Sequence, residues 1–314
     1  MRLVFFGTSP FAVPTLQALH ASRHEVLAIV TQPDRPAGRG MQLAASPVKK
    51  AALALGYTTI LQPGKVRRKP FPEELSVLAP DVLVVVSFGQ IIPQRVLDGP
   101  RYGGINVHAS LLPRWRGAAP IHRAIMAGDL ETGVATMRME ATLDTGPIFL
   151  EARTPIAPSD TTLTLEPRLA AAGAAVLIQT LDRLEQEPDW QPTPQRETGM
   201  TYAALLSRED GFLDPTTESA PQLANRVRAL TPRPGGVIML AGKEVKVLEA
   251  TYALEAGPYT PGELIAVSKE GIEIATIGGI LRLITVQPAG KPAMAATAYA
   301  NGARLKPGDL AARP

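Results

Sequence analysis

Residues 81–87 read D-V-L-V-V-V-S, an almost unbroken apolar run. Successive side chains of a strand point to opposite faces, so a strand with one wet face alternates apolar and polar residues. A run that is apolar at nearly every position fits a strand covered on both faces, as in the centre of a parallel sheet. Arg2–Phe6, ending at Gly7, has the same character, and a helical stretch over Pro10–Ala21 joins it to a strand over Glu25–Thr31. Strand, helix and strand make one βαβ unit. Further along, Ser46-Pro47 opens a helix, with serine as cap and proline in the first turn. A short helix is expected over Pro72–Ala79, and strands over Gly104–His108, Gly133–Met139 and Pro147–Ala152. Helices are expected over Ala118–Ala127 and Thr161–Glu187. The first half is therefore read as α/β, an open, mostly parallel, Rossmann-like sheet. Ligands of such sheets bind beyond the carboxyl ends of the strands.

The pattern changes after residue 187. Residues 188–200, P-D-W-Q-P-T-P-Q-R-E-T-G-M, are rich in proline and polar groups and suit a linker. We place a first domain at 1–187, the linker at 188–206 and a smaller domain at 207–314. The last part holds a helix over Ser219–Leu230 and then short apolar strands. V-I-M-L-A-G-K-E-V-K-V-L folds back at Ala241-Gly242, and I-E-I-A-T-I-G-G-I-L-R-L-I-T-V at Gly278-Gly279. Short strands with glycine turns suggest an OB-like β-barrel.

Composition narrows the function. The chain has 314 residues, enough for about two domains. It has no cysteine, which excludes disulfides, thiolate metal sites and cysteine nucleophiles. Four histidines make a histidine-rich metal site unexpected. The net charge of +3 is compatible with a nucleic-acid partner without demanding one. We find no membrane-length apolar run and no signal peptide at M-R-L-V-F-F-G-T-S-P, so a cytoplasmic protein is expected. With no coiled-coil pattern visible, a monomer is expected.

The first glycine turn, F-F-G-T-S-P, lacks the G-x-G-x-x-G of dinucleotide sites. Neither a phosphate-binding G-x-x-x-x-G-K-[ST] nor H-E-x-x-H occurs. The informative stretch is I-N-V-H-A-S-L-L-P at 105–113. Asn106 and His108 stand two apart on a strand and so share a face. Downstream comes L-D-T-G with Asp144. A carboxylate near an imidazole fixes its tautomer, and an amide beside it adds a donor. Two donors converging on one point suit a developing oxyanion. The chemistry implied is transfer of an acyl or formyl group to an amine, with no covalent nucleophile on the protein. Each residue alone has a plainer reading: Asn106 as a strand-end residue, His108 as a structural histidine, Asp144 as a turn former. The combination is what carries the reading.

I-N-V-H-A-S-L-L-P-R-W-R-G-A-A-P-I together with L-D-T-G resembles the folate-dependent formyltransferases. T-Q-P-D-R-P-A-G-R-G (31–40) and Q-P-A-G-K-P-A-M (287–294) are similar to the members that act on methionyl-tRNA. The resemblance runs essentially end to end. It implies 10-formyltetrahydrofolate as co-substrate, no metal, and the α-amine of methionine on initiator tRNA as acceptor. It carries catalytic roles to Asn106, His108 and Asp144. It carries folate binding to Ser110, Leu111, Leu112 and Pro113, and pterin binding to the Phe88–Ile92 loop, through Phe88, Gln90 and Ile91. Arg35, Arg39 and Arg208 are the tRNA candidates, with Arg39 matching the family's loop arginine. Met41 and Gln42 stand where members often carry lysines, and Thr231-Pro232-Arg233-Pro234 lacks an aromatic that some members have. Lys65-Val66-Arg67-Arg68-Lys69 reads as a solvated face or as a second RNA contact. A formyltransferase acting on an amino-sugar nucleotide, a formyl-folate hydrolase and a non-catalytic folate- or RNA-binding module remain alternatives. The R-P-A-G-R-G loop speaks against the first, and the intact trio against the last.

Overall fold

The computed structural model describes residues 1–37, 42–255 and 257–314. Packing divides the chain into two compact units. The first comprises Met1–Gly117, Glu131–Pro155 and Glu166–Tyr202. The second comprises Ala118–Leu130, Ile156–Leu165 and Ala203–Pro314.

The first unit is built on one sheet, with strands β1 (Arg2–Gly7), β2 (Glu25–Val30), β3 (Ile60–Leu61), β4 (Val82–Val86), β5 (Gly104–His108), β6 (Glu131–Arg138) and β7 (Ile148–Pro155). Their order across the sheet is β7-β6-β5-β4-β1-β2-β3. Pairings from β3 to β5 are parallel, and β6 and β7 add antiparallel neighbours at one side. Every residue of β4 is buried, as its continuous apolar run requires. Val4, Phe6, Ala28, Val30, Leu83 and Val85 make one core cluster, where Phe71 and Phe88 meet Phe6 edge-on. The strand order reverses at β1, and the crevice at such a reversal is where open α/β sheets take ligands. His108 is the last residue of β5, at that same carboxyl edge.

The helix over Pro47–Ala54 starts as its sequence dictates. Ser46 Oγ accepts from Lys49 N at 3.0 Å, and proline fills the first turn. The short helix runs Phe71–Leu78, one residue earlier than its pattern suggested. It stops at Ala79, which takes a left-handed conformation. After β2, Arg35–Ala37 pairs antiparallel with Gln42–Ala44. Arg39 lies outside the described residues.

In the second unit, β8 (Gly236–Leu240) and β9 (Lys243–Ala253) are joined by Ala241 and Gly242, with φ of 49° and 73°. Positive φ at both positions is what a two-residue type I′ hairpin demands. With β10 (Leu264–Ser268), β11 (Gly271–Ala275), β12 (Ile280–Pro288) and β13 (Ala311–Ala312), the order is β10-β11-β12-β9-β8-β13. All of these pairings are antiparallel. The C-terminal segment curls the sheet into a barrel-like form. Leu264 N donates to Asp309 O at 2.8 Å and Ala311 N to Gly262 O at 2.7 Å, while Ala311 also pairs with Leu240. The edges at β8 and β10 are thereby both covered. The helix Ala220–Leu230 opens with a capping box, in which Gln222 Oε1 accepts from Ser219 N at 2.9 Å. Strand β10 and a helix over Ala296–Ala303 were not anticipated from the sequence.

The sequence reading runs the helix near 118–127 with the sheet. It is observed over Pro120–Ala127, and it packs in the second unit against Ala220–Leu230. Arg123 NH1 reaches Asp210 Oδ1 at 2.6 Å there. A helix's apolar stripe fixes only that it must be covered, not by which neighbour. His122 lies on this helix, half-buried. Burial pushes its pKa down, and the Arg123 charge beside it adds to that.

Candidate active site

The site is built on the end of β5. Asn106 and His108 pair in register with Met137 and Ala135 of β6, so both side chains emerge on one face. Asp144 follows β6 in a tight loop whose conformation the motif L-D-T-G explains. Asp144 has φ of 51°, a left-handed conformation that aspartate tolerates better than most residues. Gly146 lies flush against β6, and a Cβ there would overlap the carbonyl oxygen of Arg138. The aspartate turns the chain and the glycine lets it lie flat.

The loop returns Asp144 to the strand end. Asn106 Nδ2 donates to Asp144 Oδ1 at 3.5 Å, and His108 Nδ1 lies 3.6 Å from Asp144 Oδ2. Gly117 N donates to that same Oδ2 at 2.9 Å. The side chains of His108 and Asp144 are 6% and 11% exposed, so their interactions act where water screens little. The three residues singled out in the sequence are thus brought together.

A fourth group, the carbonyl of Trp115, was not anticipated. His108 Nε2 lies 2.8 Å from Trp115 O. A carbonyl can only accept, so Nε2 carries the hydrogen and Nδ1 is the nitrogen turned to Asp144. A second hydrogen, on Nδ1, would make an imidazolium bonded to the carboxylate. Trp115 itself has φ of 63°, and its N donates to Thr201 Oγ1 at 2.9 Å. No local signal in P-R-W-R-G reveals this backbone contact, because it depends on the loop's path.

The other predicted residues divide. Ser110 is fully buried, and its hydroxyl donates to Arg114 O at 2.6 Å. Leu112 is buried and precedes a cis peptide to Pro113, while Leu111 packs beside Gly133. In the 88–92 loop, Phe88's ring lies in the core, and its carbonyl accepts from Thr8 Oγ1 at 2.8 Å and Gln32 Nε2 at 3.2 Å. Gln90 clamps the neighbouring loop, accepting from Val66 N at 3.0 Å and donating to Pro63 O at 3.1 Å. Ile91 is 85% exposed, and Leu143, beside Asp144 in sequence, is 62% exposed. Arg35 donates to Gln32 Oε1 at 3.3 Å. Arg208 pairs with Glu244 at 3.2 Å and lies over the Phe212 ring. Among the described residues no group of histidines and carboxylates is placed to hold a metal ion. Nor is any helix among them long and apolar enough to cross a membrane.

The chain belongs to the formyl transferase family. Residues 1–181 match the model of the formyl transferase domain, and residues 205–304 match that of the formyl transferase C-terminal domain. Within the family it belongs with the methionyl-tRNA formyltransferases. The enzyme of that name from Burkholderia vietnamiensis is 44% identical over 100% of this chain and 98% of its own. The one from Thiobacillus denitrificans is 47% identical over 98% of each. More distant solved structures share the fold. HypX from Aquifex aeolicus, in complex with tetrahydrofolic acid, is 19% identical with a TM-score of 0.61 over 96% of this chain and 47% of its own. The sugar 3N-formyl transferase WlaRD is 18% identical with a TM-score of 0.69 over 93% of this chain and 99% of its own.

Proposed function

We propose that this protein transfers the formyl group of 10-formyltetrahydrofolate to the α-amine of methionine on initiator tRNA. Relatives named methionyl-tRNA formyltransferases, at 44% and 47% identity over nearly the whole chain, support the acceptor. The observation that carries the chemistry is the meeting of Asn106, His108 and Asp144 at one strand end. In this reading the co-substrate supplies the formyl carbon and the protein contributes charge and position. Asn106 Nδ2 and His108 Nδ1 face the same carboxylate; with a second hydrogen on the imidazole, both would be donors beside a formyl oxygen as negative charge develops on it. Asp144 would take the proton the amine must lose, and as the tetrahedral intermediate collapses the bond to N10 of the folate breaks and that proton passes to N10. Trp115 O fixes the imidazole from behind.

The remaining assignments belong to the same reading. Ile91, with Leu111 and Pro113, would face the pterin. Phe88, Gln90, Ser110 and Leu112 would shape the site through the backbone they hold. Arg35, Arg39 and Arg208 would meet tRNA phosphates, with residues 1–187 catalytic, 188–206 the linker and 207–314 the tRNA-binding part. The test is formation of N-formylmethionine from charged initiator and elongator methionyl-tRNA. Removing one oxyanion donor typically costs about 10²–10³ in rate, so Asn106→Ala and His108→Ala should each lose at least that while folding normally. Near-wild-type turnover by His108→Ala would remove that residue from the mechanism.

A further inference from the structure

We propose that Gln195 is a positioning residue for Asp144, and that Arg116 holds Gln195 in place. The inference rests on the function proposed above, in which Asp144 takes part in the reaction.

Gln195 Nε2 donates to Asp144 O at 2.9 Å and to Gly146 O at 2.7 Å, gripping the L-D-T-G loop on both sides of Thr145. Its other amide atom, Oε1, accepts from Arg116 Nε at 3.0 Å and NH2 at 2.7 Å. The amide's orientation follows from its partners. A guanidinium offers only donors and a carbonyl only accepts, so the flipped amide would set donors against donors and oxygens against oxygens. Both hydrogens and the oxygen of Gln195 are therefore committed.

Arg116 fixes which way the Gln195 amide faces. It is buried, and the other described contact of its guanidinium is NH1 with Met200 Sδ at 3.1 Å. Both of these partners are uncharged. A buried cation normally takes a carboxylate, and this one takes a neutral amide carbonyl two-handedly. The amide is polarised by that charge, which strengthens the bonds its NH2 group donates. Asp144 needs such support. Its carboxylate has one short bond, from Gly117 N, while its contacts with Asn106 and His108 are 3.5 and 3.6 Å. Its backbone is left-handed, a conformation that persists where surrounding contacts fix it. Arg116 thus acts on the loop through a neutral relay and leaves the carboxylate to His108.

The test compares Gln195→Leu, Gln195→Glu, Asp144→Asn and the double variant Gln195→Leu/Asp144→Asn in the full chain. Misplacing a reacting group by about 1 Å can cost about 10²-fold, so Gln195→Leu should lower kcat about 10- to 100-fold. KM for both substrates should stay within about twofold of wild type, since uniform binding is untouched. Gln195→Glu keeps an oxygen for Arg116 but has no donor for the two carbonyls, and it should lose as much kcat. The double variant should be no slower than Asp144→Asn alone, because Gln195 acts through that residue. Wild-type kcat in Gln195→Glu would show that only Arg116's partner matters and overturn the proposal. So would losses that multiply in the double variant. If Gln195→Leu fails to fold, the glutamate variant, made as the double with Asp144→Asn, distinguishes the same two outcomes. Wild-type kcat in Asp144→Asn would instead break the proposed role of the active site.

Discussion

Asp34 and Asp144 each stand in a loop after a strand, and each shares its surroundings with a glutamine and a cation. At Asp34 the cation sits on the carboxylate. Lys49 Nζ reaches Oδ2 at 2.7 Å, Gln62 Nε2 donates to Oδ1 at 2.7 Å, and Lys49 also bonds Gln62 Oε1 at 2.7 Å. The ring is closed, and Asp34 directly precedes the paired segment Arg35–Ala37. At Asp144 the cation is kept one residue away. Arg116 bonds the carbonyl of Gln195, whose amide then grips Asp144's backbone rather than its carboxylate. A glutamine and a cation close a ring on the carboxylate in one place and leave the carboxylate without a direct cation in the other. What differs is whether the positive charge meets the carboxylate directly.

The largest effect should come from Asp144. Asp144→Asn keeps the size but removes the charge and the proton acceptor, and general acid–base groups contribute about 10²–10⁴ in rate. We expect kcat/KM for methionyl-tRNA to fall within that range while thermal stability changes little. A loss of only severalfold would mean that Asp144, like Asp34, is chiefly structural.

A smaller effect should follow Gly146→Ala. The added methyl must displace the Arg138 carbonyl, and overpacking of this kind costs about 1–3 kcal/mol. Because the displaced loop carries Asp144, kcat should fall about tenfold or more, as misplaced groups do. Full activity with lowered melting temperature would separate the loop's packing from its chemistry.

The smallest effect on turnover should come from Asp34→Asn, and it shows instead in the pH dependence of stability. The Lys49 hydrogen bond, then that from Gln62, holds the Asp34 pKa below its ordinary value. A carboxyl depressed in the folded state stabilises above its unfolded pKa of about 3.9, and that contribution disappears as pH falls through the folded value. Melting temperature should therefore drop on acidification in wild type, and drop less steeply in Asp34→Asn. Equal acid sensitivity in both proteins would show that the ring contributes no pH-linked stability.

Much of the fold and the site was legible in the chain. The run at 81–87 implied a doubly covered strand, and β4 is buried throughout. Ser46-Pro47 announced a helix start, because capping depends on residues at most three apart. The spacing of Asn106 and His108 put them on one face for the same local reason. Gln195 carried no signal. It lies 51 residues from Asp144 in a polar stretch that reads as linker, and glutamine has no pattern that marks it as a brace. Phe88 was read as a loop residue, yet its ring is a core residue against Phe6. Its apolarity fitted either role.

The sequence by itself determined the parallel sheet, the barrel-like second unit and the residue types able to carry formyl transfer. These follow from period-two patterning, caps and tight turns, all short-range consequences of backbone geometry. Only the tertiary structure decided which nitrogen of His108 faces Asp144, which unit the Pro120–Ala127 helix joins, and which glutamine bonds the L-D-T-G loop. Those outcomes depend on long-range packing and on the direction of individual hydrogen bonds, which arise only when distant segments meet in space.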